Sequence, residues 1–172
     1  NKSFRETIST VLGDAGEAKS LDEEKPEEEA DVLVAPLNGR VRYVGRGSAR
    51  GYQSTITVLV AVDAAPGEPL PDDPQIYRMA VVPPTGETPG LGENINKVKK
   101  DVSLWGALIG RGGEGGQKRP WFQSQFNGKR LSDLKVNKSG KAGIKPITGA
   151  TITSRATTTA ARRALETIME KT

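Results

Sequence analysis

The chain has 172 residues and a mass of 18.3 kDa; 35% of it is hydrophobic, 27% charged and only 5% aromatic, with a formal net charge of +4. That length and balance suit one globular domain with a sizeable core and some polar loops. Cysteine and histidine are both absent, which excludes thiolate clusters, disulfides, imidazole metal sites, Ser-His-Asp triads and histidine proton shuttles. Chemistry here has to come from hydroxyls, carboxylates, amines or a bound cofactor.

Residues 2–13, KSFRETISTVLG, place Phe4, Ile8, Val11 and Leu12 on one stripe and end at Gly13. This predicts a short amphipathic helix. The chain starts at Asn1 and not at Met, so it reads as a processed or cut-down piece, and any signal segment or membrane anchor ahead of it lies outside the sequence; no stretch within the sequence reaches the roughly 20 apolar residues of a membrane helix. Residues 22–31, DEEKPEEEAD, have no apolar period and contain Pro26, so they read as a solvated acidic linker. The expected division is a helix and linker over 1–39 and a folded domain over 40–172.

From Val41 the pattern turns to strands: VRYVGRG, then QSTITVLVAVD at 53–63, then IYRMAVV at 76–82. Ile56, Val58, Val60 and Val62 alternate with Thr55, Thr57, Leu59 and Ala61, a two-residue period rich in β-branched side chains. The turn-rich links GSARG and AAPGEPLPDDP join these runs into an antiparallel meander. After the rigid loop PPTGETPGLGENI comes a helix over about 93–102, then a flexible insertion, GRGGEGGQKR, at 110–119. PWFQSQFNGK supplies Trp121, Phe122 and Phe126 as a plug under the sheet, ahead of a short strand at 130–136. The last element is a helix with the small-residue face Ala156, Ala160, Ala164 and Ile168. The fold class is α+β, an antiparallel sheet with helices packed on it.

Most Lys and Arg residues fall between 97 and 163. With few aromatics and no nucleic-acid motif, this basic half reads as a solvated surface suited to an acidic partner, and nucleic acid is not expected. GRGGEGG lacks the GK[ST] ending of a phosphate loop. Glu87 and Asp133 are not brought together by anything in the sequence, so a carboxylate pair is remote.

Two stretches carry the chemical signal, GETPGLG at 86–92 and ITGATITS at 147–154. The plain reading of the first is a Pro-Gly turn. For the second it is a helix capped by Thr148 or Thr151 with exposed threonines behind. Thr151, Thr153, Thr157, Thr158 and Thr159 in one helix nevertheless run against helix propensity, and such conflicts concentrate at functional sites. A helix start offers unpaired N–H groups and a positive dipole end, Gly149 and Ala150 allow close approach, and Arg155 lies one turn beyond Thr151. The pattern fits a phosphate-bearing ligand.

Taken in order, TITVLVAVD, ETPGLG, WFQSQFNGK and ITGATITS resemble the flavin-mononucleotide-binding domain of the Rnf electron-transport complex's G-type component, which the C-type component of the sodium-pumping NADH:quinone oxidoreductase shares, over roughly residues 40–170. The resemblance implies FMN carried in phosphoester linkage on Thr151, the last threonine of TGAT. Thr148, Gly149, Ala150, Ile152 and Thr153 would shape the phosphate and ribityl pocket. Glu87, Thr88, Gly90, Leu91 and Gly92 would form an opposing loop, with Leu91 against the flavin ring. It also implies a flavin transferase during maturation, other membrane subunits of an electron-transport complex as partners, and a place on the outer face of the cytoplasmic membrane. One departure stands out: where the family has an acidic residue three positions before the Ser/Thr of the motif, this chain has Lys145.

Two rival readings of the same fold are noncovalent flavin binding and a cofactor-free structural or binding module. A flavin reductase with its own small substrate has no residue pair in the sequence to protonate that substrate.

Overall fold

The computed structural model describes residues 2–83, 121–139 and 142–172. In chain order the elements are α1 (Lys2–Leu12), β1 (Lys19–Ser20), β2 (Val32–Leu37), β3 (Arg40–Arg50), β4 (Thr55–Ala64), β5 (Arg78–Val81), α2 (Trp121–Ser124), a 3-10 turn (Leu131–Asp133) and α3 (Thr151–Lys171). Among the described residues the strands form one antiparallel sheet in the order β1-β2-β3-β4-β5. The fold is the expected α+β meander, with the C-terminal helix starting at the TGAT motif.

Both faces of the sheet are covered, and β4 shows why. Ile56, Val58, Val60 and Val62 pack with Phe122, Phe126 and the alanine face of α3, while Leu59 and Ala61 pack with Phe4 and Val11 of α1. The alternation read from the sequence therefore sorts β4 between two apolar layers, not between core and water. In β3, Gly45 and Gly47 lie under α3. A β-carbon at Gly47 would fall 2.0 Å from the Ala160 carbonyl oxygen, and one at Gly45 2.5 Å from that of Ala164. These two glycines and the alanines opposite set how closely the helix backbone approaches the sheet.

The sheet extends further toward the N-terminus than the strand pattern predicts. β2 pairs with β3 from Val32↔Gly45 to Leu37↔Arg40, across the expected junction at 39/40. Asn38 (φ 41°) and Gly39 (φ 79°) make the two-residue turn between them, the left-handed pair that matches strand twist in a tight hairpin. The acidic run 22–31 is irregular and almost wholly exposed, as expected of solvated chain, but it is tethered. Glu28 pairs with Arg5 at 3.7 Å, and Asp31 with Lys25 at 3.7 Å and Lys171 at 3.6 Å.

Arg42, 3% exposed at its side chain, holds α1 to the sheet. Its Nε and Nη2 donate to Asp63 at 2.6 and 2.9 Å, its Nη1 donates to the Leu12 carbonyl at the end of α1, and its plane lies 3.5 Å from the Tyr77 ring centroid. The bidentate Asp63 partner raises the Arg42 pKa further above its ordinary value.

Two local expectations are corrected. GSARG is not a turn: β3 continues through it to Arg50, and the chain reverses over residues 51–54. The short strand at 130–136 is instead a single 3-10 turn with one-residue bridges on either side, Gln75↔Arg130 and Val136↔Ile144. Asp73 fixes it, accepting from the Ser132 N–H and hydroxyl at 2.8 Å each.

Candidate functional site

The site is built where the chain enters α3. Ile144 is tied to neighbouring chain on both sides: its N–H donates to the Lys135 carbonyl and its carbonyl accepts from the Asn137 N–H, each at 2.8 Å. Lys145 follows, exposed, then Pro146 and the buried Ile147. A turn closed by Ala150 N–H to the Ile147 carbonyl, 2.9 Å, carries Thr148 and Gly149 at its tip, both exposed. Gly149 has φ 79°, and a β-carbon there would meet nothing within 4 Å. Backbone conformation, and not crowding, is what calls for glycine.

Neither threonine caps the helix. The N-cap position is Ala150, with no side-chain cap, which corrects the expectation that Thr148 or Thr151 performs this role. A helix cannot satisfy the N–H groups of its own first turn. The first turn of α3 also contains no acidic residue, although acidic side chains are stabilising there. Thr151 and Ile152 are exposed, Ile152 by 56%, and Arg155 is exposed one turn on. The donor set thus fits a phosphoester: an accessible hydroxyl on Thr151, the positive end of an uncapped helix behind it, and open space over Gly149.

The other hydroxyls of the helix do different work. Ser154, fully buried, accepts the Ile147 N–H and donates to the Ala150 carbonyl, both at 2.8 Å. Thr157 and Thr158 are also buried and donate to the carbonyls of Thr153 and Ser154, 2.8 Å each. These are i to i−4 bonds within the helix, a way to bury a hydroxyl without leaving it unpaired. The expectation that threonines behind the first turn are exposed is overturned for Thr153, Thr157 and Thr158, all of which are buried. Of the residues expected to shape the pocket, Thr148, Gly149, Thr151 and Ile152 are surface groups, whereas Ala150 and Thr153 are buried behind them.

The entry arm is fastened to the sheet by the WFQSQFNGK segment. Phe122 and Phe126 are fully buried, as the plug expectation requires, but Trp121 stands 42% exposed. Beside each ring, Gln123 Oε1 accepts the Val81 N–H and Asn127 Oδ1 accepts the Met79 N–H, each at 3.1 Å. Side-chain amides thereby pair the outer edge of β5, the last strand of the sheet among the described residues. Gln125 takes both backbone groups of Lys145: its Oε1 accepts the N–H at 2.9 Å and its Nε2 donates to the carbonyl at 3.0 Å. The sequence reading missed Ser154, Gln123, Gln125 and Asn127. The available signal was the amide residues at every second position, 123, 125 and 127, around the two buried rings, and a serine four residues after the N-cap.

Glu87, Thr88, Gly90, Leu91 and Gly92, the expected opposing loop, lie outside the described residues, as do the expected helix at 93–102 and the insertion at 110–119. No helix among the described residues is long and apolar enough to cross a membrane.

The sequence matches the FMN-binding domain family over residues 51–166, from the turn before β4 to within the last turns of α3. The chain belongs to that family. It is 30% identical over 131 residues to the G-type component of the proton-translocating ferredoxin:NAD(+) oxidoreductase complex of Clostridium ljungdahlii, covering 75% of this chain and 54% of that protein. It is 28% identical over 156 residues to the G-type component of the Na(+)-translocating ferredoxin:NAD(+) oxidoreductase complex of Acetobacterium woodii, covering 87% and 60% respectively. The chain therefore spans only a little over half the length of these relatives. The likeness confirms an FMN-binding domain of the kind found in the G-type component of Rnf complexes.

Proposed function

We propose that this chain is an electron-transfer module that carries FMN in phosphoester linkage on Thr151 and works within a membrane-bound oxidoreductase complex of the Rnf kind. The observation that carries the proposal is the accessible hydroxyl of Thr151 at an uncapped helix start free of acidic side chains, inside the region matched to the FMN-binding family. The FMN, when bound, supplies one- and two-electron redox chemistry; the protein contributes position and electrostatics.

Attachment is a phosphoryl transfer. The Thr151 oxygen forms a bond to the FMN phosphorus of FAD, the P–O bond of the pyrophosphate breaks, AMP leaves, and the hydroxyl proton is released to solvent. The uncapped N–H groups and Arg155 favour the negative charge of the phosphate at this spot. Gly149 and Thr148, at the turn tip, give the phosphate and ribityl chain room. Leu91 and its neighbours in GETPGLG are proposed on the sequence resemblance to face the flavin ring. Because the chain covers part of its relatives, the ferredoxin:NAD(+) activity named for them, the partner subunits, the flavin transferase, and an anchor holding the domain at the outer membrane face all belong to this proposal.

The test is co-production with a flavin transferase, denaturation, and detection of flavin that stays with the protein. Thr151→Ala abolishes it, and Thr148→Ala lowers it only mildly. Flavin that is bound natively but lost on denaturation of the wild type would instead support noncovalent binding.

A further inference from the structure

The arm leading to Thr151 has its backbone donors engaged one after another by different parts of the molecule. The Ile144 N–H is held by the Lys135 carbonyl, the Lys145 N–H by Gln125 Oε1, and the Ile147 N–H by Ser154 Oγ. Pro146 has no N–H to offer and a fixed φ. Of these partners, Gln125 is the one that is neither backbone nor part of α3. Its side-chain amide closes a two-bond ring with Lys145, at 2.9 and 3.0 Å, the same pairing a residue of a neighbouring β-strand would give. Gln125 sits between Phe122 and Phe126, both fully buried, and its neighbours Gln123 and Asn127 are fixed to β5. The amide that grips the arm is therefore itself mounted on the sheet.

From this geometry we infer that Gln125 is a positioning residue for flavin attachment: it acts through the Lys145 backbone to present Thr148–Thr151 as a pre-ordered acceptor to the FAD-loaded transferase. The inference rests on the proposed attachment at Thr151. Its physical basis is that a hydroxyl acceptor must meet the phosphorus in line with the departing AMP, and an arm already fixed does not have to be ordered at that moment. With Lys145 N–H and C=O both occupied by Gln125, the arm has no free donor between 144 and 147 to pair with an enzyme strand. A transferase is left to read side chains at Lys145, Thr148 and Thr151, all of them exposed. Gln125 is partly exposed, is not among the buried core residues, and holds the arm by two hydrogen bonds, so removing its amide frees the arm without opening the core.

The experiment compares wild type, Gln125→Ala and Gln125→Met as acceptors for a purified flavin transferase with FAD, alongside amide hydrogen exchange at Lys145 in the flavin-free proteins. In both variants the Lys145 amide loses protection, melting temperature falls by no more than a few degrees, and kcat/KM for the acceptor falls on the order of tenfold, the worth of two lost hydrogen bonds. Gln125→Met keeps the side-chain bulk, so a fall in both variants assigns the effect to the amide. Wild-type kinetics with a deprotected Lys145 amide would overturn the inference, as would an amide that stays protected in both variants. If Thr151→Ala is flavinylated like the wild type, the attachment reading fails and this inference with it. Flavin confined to Thr151 with kinetics indifferent to Gln125 would sink the inference alone.

Discussion

The hydroxyl of Ser154 accepts the backbone N–H of Ile147 at 2.8 Å and donates its own O–H to the Ala150 carbonyl at the same distance. One buried oxygen thus ties the TGAT turn to the first turn of α3, while the helix's own first N–H groups keep no side-chain cap. Ser154→Ala leaves the N–H of Ile147, a residue only 8% exposed, without a partner. The loss is expected to be about 1–3 kcal/mol in urea unfolding, with a lower covalent flavin yield. Stability equal to wild type would show that the turn does not depend on this hydroxyl.

Thr158 separates helix architecture from flavin chemistry. Its hydroxyl is spent on the Ser154 carbonyl and its side chain is buried. Thr158→Val keeps the shape and removes a bond whose acceptor already receives the helical N–H. The variant is expected to lose only the net worth of one hydrogen bond, about 0.5–1.5 kcal/mol, and to flavinylate normally. A fall in flavin content would place this hydroxyl in the site.

The threonine cluster also marks the limit of what the sequence conveys. Its conflict with helix propensity was visible, and it led correctly to the helix start at Thr151. Propensity could not distinguish the exposed Thr151 from Thr157 and Thr158, since that distinction depends on which face of α3 meets β3. The β4 alternation was legible because β-branched residues repeat every second position. β2, VLVAPL, was not: it is apolar on both faces and interrupted by Pro36, although Asn38-Gly39 beside it is a recognisable hairpin signal. The Gln125 grip was invisible because its partner is backbone, which carries no sequence signature.

Close approach of α3 to the sheet depends on Gly47. With the added β-carbon only 2.0 Å from the Ala160 carbonyl oxygen, Gly47→Ala forces the helix outward. It should destabilise by about 1–3 kcal/mol, as overpacking does. Thermal unfolding reads this directly; an unchanged midpoint would mean that the helix seats differently.

Asp73 gives a pH dependence. The Ser132 N–H and hydroxyl hold its carboxyl below the usual carboxylate range. A depressed native pKa adds stability that is fully present above the unfolded-state value and is lost as pH falls through the native one. Asp73→Asn should therefore be less stable than wild type near neutrality, with the gap narrowing on acidification. A gap that stays constant with pH would assign the difference to something other than ionisation.

Whether Thr151 bears the flavin is read by intact mass with peptide mapping of the chain produced alongside a flavin transferase. The expected result is a gain of one FMN less one water, located on Thr151 and absent from Thr151→Ala. An unmodified Thr151 peptide from protein made with an active transferase, or the same gain mapped to another residue, would contradict it.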